Sequence, residues 1–430
     1  VLDLAPFVCK AERKITAAMS LMSYAGRLAL LNSIITSLAI YPMGTLRLPP
    51  KIIAQLDKIR RYCLWNKKTD NGDKCNSLAA WSMVCRPKKS GGLGILDLHV
   101  QNDALLLKLL HKFYNQHDTP WVSLIWNTYY TESVPHATEP CGSFWWRDLI
   151  QLMPIYRGVT QVNVHNGSSA LFWKDDWNNS IYEEKYPRAF SYCKNGDIPI
   201  QAFLNTTNLA TTFHLPLSVQ AHDELRQIQR EVANVELTNA NDTWTCCWGA
   251  QSFKTTSYYS YYFREITAHV AFKWLWKTKC TAKIKVFGWL LLSDRLNTRN
   301  MLKRRHYNIG TNLDCLLCGQ HIEEIVEHLF FHCTFSQSCW RILNITWSDH
   351  QHRLQLLERL KERHNHKMIM EIFLLAAWSL WKERNNNYFR KVLPCIDSWK
   401  ERFKNDFRDL LHRLPDHKKQ LVHDTLAVIQ

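Results

Sequence analysis

Cys315-Leu-Leu-Cys318 is followed, after nine intervening residues, by His328 and, after four more, by Cys333. Thiolates at i and i+3 can face one metal ion from a tight turn. An imidazole and a third thiolate about one helical turn apart can then complete a tetrahedron. A four-ligand site of this kind is closed, so it holds structure and leaves no position open for a substrate. Gly319 suits the backbone reversal after the second cysteine. The apolar-rich run 326–331 predicts a short helix that presents His328, with Glu324 or Glu327 placed to orient the imidazole and Glu323 nearby. Buried free thiols are the competing reading, but the spacing favours structural Zn²⁺ held by Cys315, Cys318, His328 and Cys333. His332, four residues beyond His328 on the same helical face, is the alternative to Cys333, and Cys339 and His321 lie close by.

Charge points to a polyanionic partner. The chain has 54 Lys and Arg against 38 Asp and Glu, a formal net charge of +16. That excess does not choose between RNA, DNA and an acidic surface. Its distribution is more informative, because residues 272–306 hold ten Lys or Arg and one acidic residue, Asp294, interleaved with Trp274, Trp276, Phe287 and Trp289. The candidate phosphate contacts are Lys283, Lys285, Arg295, Arg299, Lys303, Arg304 and Arg305, which would bind irrespective of base sequence. A solvated basic face is the plainer alternative. The aromatic rings of this stretch are expected in a core rather than stacked on bases. A second basic stretch, residues 51–89, includes Lys58, Arg60, Arg61, Lys67, Lys68, Lys88 and Lys89.

Fourteen cysteines in 430 residues are too sparse for a disulfide scaffold, and only the 315–339 group is regularly spaced. This predicts an intracellular, reducing location, nucleus or cytoplasm. No run of 18 apolar residues and no signal peptide is found, so no membrane partner is expected. No small-molecule substrate is expected either.

Helical periodicity marks residues 15–40, ending at Tyr41-Pro42, and residues 51–64 after Pro49-Pro50. It returns from about residue 266, with two amphipathic helices over 368–390 and 396–412 broken near Pro394. Between them, residues 161–165 and 169–173 flank Asn166-Gly167, which predicts a β-hairpin. The run Gly91-Gly92-Leu-Gly94 lacks the Lys-Ser/Thr of a phosphate loop and reads as a flexible turn. The fold class is therefore α+β, predominantly helical.

Several stretches together resemble a known family: Phe272-Lys-Trp-Leu-Trp-Lys, Lys283-Ile-Lys-Val-Phe-Gly-Trp, Arg295-Leu-Asn-Thr-Arg, and the Cys315 to Cys333 group with Glu324. They are similar to the reverse-transcriptase zinc-binding domain of plant LINE-type non-LTR retrotransposons. The likeness extends to Val164–Trp177, to Asp242-Thr-Trp244 and to Trp378-Ser-Leu-Trp-Lys-Glu-Arg-Asn385. Towards the N-terminus, residues 23–35 and Cys85-Arg-Pro-Lys-Lys-Ser-Gly-Gly-Leu-Gly94 resemble the segment after the polymerase palm. The resemblance implies four segments: a thumb-like helical region (1–130), a β-containing connector (131–265), the zinc-binding domain (266–350) and a helical tail (351–430).

It also implies RNA or DNA as partner, held with low sequence specificity, and a fragment without catalysis of its own. A palm needs carboxylates on adjacent strands to hold two metal ions, two of them in a Tyr/Phe-x-Asp-Asp hairpin in this family. Asp175-Asp176 is the only Asp-Asp pair. It matches the family's Trp-Lys-Asp-x-Trp segment instead and reads as an acidic turn. The endonuclease and the spaced carboxylates of a ribonuclease H are likewise not found. The chain starts at Val1, consistent with a piece of a longer product. The other readings are a domesticated stand-alone RNA- or DNA-binding protein and a zinc-stabilised protein-interaction module.

Overall fold

Apolar residues at three- and four-residue spacing build helices through most of the described chain, and among the described residues only two short strands pair into a sheet. The computed structural model describes residues 5–15, 22–65, 77–130, 134–137, 141–249, 252–347, 351–364 and 366–428; Lys67 and Lys68 lie outside them. The fold is α+β and predominantly helical. It divides into two compact units, one of Val1–Ser37, Ala54–Asp97 and Phe263–Gln430, the other of Leu38–Ile53 and Leu98–Tyr262. No described helix is long and apolar enough to cross a membrane, and no disulfide joins any described cysteine.

The first unit has one continuous apolar core, fed by the helices Val270–Lys277, Ala282–Leu292, Ile369–Arg390 and Ile396–Arg408. In the last of these, Trp399, Phe403 and Phe407 recur every four residues on one face. Their rings stack at 5.7 and 5.5 Å between centroids, as side chains one turn apart must. Of the aromatic residues read as core, Phe287 and Trp289 are buried, whereas Trp274 and Trp276 are half-buried against it. The Trp289 indole N–H donates to the Gly91 carbonyl at 2.8 Å. That bond helps fix the glycine loop, which is also closed by Gly92 N–H to Pro87 and Gly94 N–H to Arg86. A Cβ on Gly92 would lie 2.0 Å from the Arg86 carbonyl oxygen. The loop read as a flexible turn is thus a pinned close approach of two backbones.

The N-terminal helical stretch runs on past Tyr41-Pro42. A π-helical turn at Leu31–Ile35 leads into Thr36–Met43, with Pro42 inside the last turn. Proline there forfeits one N–H, and Gly44 N–H still reaches Ile40 O at 3.0 Å, so the helix closes at Met43, one residue past the expected stop.

In the second unit the expected hairpin does not form. Strand β1 (Thr160–Asn163) pairs antiparallel with β2 (Thr243–Cys246), with Val162 opposite Trp244. The reason lies in Asp242, which is 2% exposed. Its carboxylate accepts from the N–H groups of His165, Gly167 and Ser169 and from the Ser169 hydroxyl at 2.8–3.0 Å. Donors that a hairpin ladder would have used are thus already satisfied, and β1 is left to pair with the distant strand. Around this sheet pack Tyr114, Tyr156 and Trp244, with centroids 4.9–5.6 Å apart.

Asp175 does sit at a turn, as the acidic-turn reading expects, but the turn is internal. Asp175 is fully buried. Its Oδ1 accepts from Arg157 Nε at 2.5 Å, and its Oδ2 from the Leu171 N–H at 2.6 Å and opposite His136 Nε2 at 2.8 Å. Burial alone would raise its pKa, but the His136 and Arg157 charges and these hydrogen bonds together outweigh it and hold the carboxyl below its usual value. A carboxyl with a lowered native pKa stabilises the fold above its unfolded value near 4 and loses that contribution as pH falls through the native value. Asp175→Asn should therefore destabilise the protein by about 3–5 kcal/mol at neutral pH, since it leaves a buried cation without its partner. Urea unfolding at pH 7 and pH 3 should show the gap between parent and variant shrinking at the lower pH.

Candidate metal centre

Cys315 and Cys318 sit on a short β-like turn. Asp314 and Glu323 bridge antiparallel, Cys315 N–H donates to Ile322 O at 2.8 Å, and Glu324 N–H donates to Leu313 O at 2.8 Å. Gly319 turns the chain with φ +65°, a left-handed conformation that costs glycine nothing. His328 opens a π-helical turn, His328–His332, closed by Cys333 N–H to His328 O at 2.7 Å. In a regular α turn the residue four positions on, His332, would stand over His328. The wider i→i+5 turn brings Cys333 there instead. Cys333 then starts the helix Thr334–Ile342.

Four ligand atoms converge, those of Cys315, Cys318, His328 and Cys333, all within 4.8 Å of one another. The Cys315 and Cys333 sulfurs are 3.8 Å apart, and Cys318 Sγ is 3.4 Å from His328 Nε2. A tetrahedral ion with metal–sulfur bonds of about 2.3 Å and a metal–nitrogen bond of about 2.05 Å requires edges of about 3.8 and 3.6 Å. The donors fit zinc in number, type and spacing. Hydrogen bonding to Cys333, with burial, pushes the Cys315 thiol up to about 12, while the bond from Cys315 lowers Cys333. Metal binding takes the thiolate form of cysteine and so releases the protons that these thiols hold.

The neighbouring candidates lie outside this group of four. Cys339 is buried in the following helix, and exposed His321 pairs with Asp314 at 2.9 Å. The two glutamates read as imidazole-orienting groups have other partners. Glu327 accepts from Arg353 at 2.6 Å. Glu324, fully buried, receives two nitrogens of Arg384, at 2.7 Å for the nearest contact, and the N–H groups of Arg299 at 2.9 Å and Leu316 at 3.3 Å. Asn387, one turn on from Arg384, donates to Leu316 O at 2.6 Å. The long helix Ile369–Arg390 thus grips the cysteine turn through Arg384 and Asn387. Sequence reasoning noted the Trp-Lys-Glu-Arg-Asn stretch but gave it no role; a charged pair inside an apolar helix was the available signal.

The seven candidate phosphate contacts divide. Lys303 is exposed; Arg304 is exposed and pairs with Asp294 at 2.7 Å; Lys283 is exposed, its amine 5.2 Å from the Trp378 ring centre. The others are partly buried. Arg305 donates to Asn297 and to the Leu78 carbonyl at 2.6 Å, and burial foremost lowers its pKa. Arg299 reaches the Asp314 carbonyl at 3.3 Å. Lys285 donates to Trp276 O at 3.2 Å, and burial lowers its pKa too. Arg295 lends its carbonyl to Arg305.

Residues 253–340 match the family model described as zinc-binding in reverse transcriptase. The matched range contains the four ligands and the Phe272 to Cys333 motifs, so this part of the chain is a reverse-transcriptase zinc-binding domain. Over 401 residues the chain is 25% identical to an Arabidopsis thaliana protein named as a putative ribonuclease H protein, a match covering 87% of this chain and 62% of that one. An uncharacterized mitochondrial protein of the same plant is 29% identical over 147 residues, covering 33% of this chain and 92% of its own length. The chain therefore spans less than two thirds of the longer relative.

Removing one partner of a buried ion pair leaves the other charge uncompensated. Arg384→Met should cost about 3–5 kcal/mol of stability, and adding Glu324→Gln should recover part of that loss; denaturant midpoints of the three proteins measure both steps.

Proposed function

We propose that this chain is the zinc-stabilised region that follows the polymerase in a LINE-type reverse transcriptase, and that it positions nucleic acid without catalysing a reaction itself. The observation that carries this reading is the convergence of three cysteines and a histidine inside a matched reverse-transcriptase zinc-binding domain. Zinc would be held by Cys315, Cys318, His328 and Cys333, where it supplies cross-linking of the cysteine turn to the His328–His332 turn. All four tetrahedral positions are filled by protein, so the site has no place for a reacting water. Exposed Lys283, Lys303 and Arg304, within a chain of net charge +16, supply phosphate contacts.

The non-catalytic part of the proposal is supported by the state of Asp175. Both its oxygens are taken by protein groups, so the pair with Asp176 is not arranged to hold two metal ions. The ribonuclease H in the relative's name belongs to that longer protein.

Elemental analysis of the purified chain should find one zinc, and Cys315→Ser with Cys318→Ser should lose it and melt the 310–340 region, because structural zinc contributes on the order of 10–16 kcal/mol. A parent protein without zinc would refute the cofactor. In parallel, primer extension on an RNA template and cleavage of an RNA–DNA hybrid, each with Mg²⁺ or Mn²⁺, should stay at background. Activity of either kind that disappears with Asp176→Asn would refute the non-catalytic reading.

A further inference from the structure

A group of lysines lies around Trp276, away from the Cys315 to Cys333 cluster. The Lys88 amine sits 4.9 Å from the centre of the Trp276 ring, a cation–π distance that holds a flexible side chain in place. From the next helix, Lys285 donates to the Trp276 carbonyl at 3.2 Å, which fixes a second amine beside the same residue. Lys279, exposed on the turn between the two helices, supplies a third. None of these three ammoniums is in an ion pair among the described residues. The nearby carboxylate, Glu371, is buried and accepts from the Lys279 backbone N–H at 3.0 Å rather than from an amine.

Three like charges without an ion-pair partner repel one another, and an anionic ligand would relieve that repulsion. Lys285 registers that crowding. After burial, the ammoniums of Lys88 and Lys279 are among the causes that lower its pKa, against an opposing effect of Cys280 and Glu371. Lysine amines without ion-pair partners suit a phosphodiester, whose charge is shared over two oxygens and which lysine contacts as a point charge.

We propose that Lys88, Lys279 and Lys285, arranged around Trp276, form a backbone phosphate-binding site for a single nucleic-acid strand. The site rests on the nucleic-acid reading above and adds a second location to the exposed residues near Arg304. Trp276 acts here as a positioning residue, since its ring face is occupied by Lys88 and its carbonyl by Lys285. Recognition is of phosphate, so RNA and DNA strands should both bind and base sequence should matter little.

The test uses the full chain with zinc bound and fluorescein-labelled 20-nucleotide RNA and DNA strands, followed by anisotropy across a salt titration. Lys88→Gln with Lys279→Gln changes only exposed side chains and leaves Lys285 in place. Each lost single-strand phosphate contact removes about 0.7 from the log–log salt slope, so the double variant should lose on the order of 1.4 and bind roughly 25-fold more weakly at 0.1 M salt. Lys88→Arg with Lys279→Arg should retain the parent slope, and the melting temperature and zinc content of all three should agree. If the parent binds and the Gln variant keeps its affinity and slope, this site is overturned while the nucleic-acid reading stands. If the parent binds neither strand, both are overturned, as they are if it binds only vesicles containing phosphatidylserine.

Discussion

The first unit is organised around one buried carboxylate. Glu324 has no exposure, and the groups that satisfy it come from three places: the Arg384 guanidinium on the long helix, the Arg299 N–H at the start of the helix Arg299–Arg304, and the Leu316 N–H between the two cysteines. Burying a carboxylate without such partners costs several kcal/mol. The fold therefore reaches a low free energy only when all three segments arrive together. Arg384 in turn lies over Trp381 and Tyr388, each 5.0 Å from the ring centre. The charge network is thereby sealed beneath aromatic rings, and the cysteine turn is tied to the long helix through it.

The second unit uses the same device in place of an extensive sheet. Asp242 collects three backbone N–H groups that would otherwise need strand partners, and Asp175 collects one more together with Arg157 and His136. Each carboxylate takes backbone N–H groups that a β ladder would otherwise bond, in a region whose described residues form one pair of four-residue strands. Asp175 also shows how environment decides chemistry. A carboxylate that is fully hydrogen-bonded by its own fold is a structural anion, whatever a short motif around it resembles.

Much of this was legible in the amino-acid order, and the parts that were not share a cause. Local periodicity gave the helices over 50–65, 369–390 and 396–408, because an apolar stripe needs no knowledge of distant residues. The clustering of Cys315, Cys318, His328 and Cys333 was legible for a similar reason, since their spacing is a local signal. What the sequence left open depended on partners far along the chain. The Asn166-Gly167 turn was read as a hairpin because nothing near it announces that Asp242 will take its N–H groups. The glutamates beside His328 were assigned to the imidazole because Arg384 and Arg353 are distant in sequence. Arg299 and Arg305 looked like any other surface charges until the carbonyls they bond, on Asp314 and Leu78, came within reach.

The π-helical turn at His328–His332 has a consequence for the electrical character of the centre. By carrying the chain one residue further than an α turn before it comes back over His328, it selects a sulfur, from Cys333, where a nitrogen from His332 was available one position earlier. Three thiolates and one imidazole around a divalent ion are one unit more negative than two thiolates and two imidazoles. With a divalent ion bound, the number of residues between His328 and the fourth ligand would therefore decide whether the centre is neutral or carries one negative charge within a strongly basic protein. Deleting any one residue between them would shift Cys333 onto the four-residue spacing now held by His332. An insertion would move it off the donor face altogether. Chain length at this one turn, more than side-chain identity, acts as the selector of ligand and of charge.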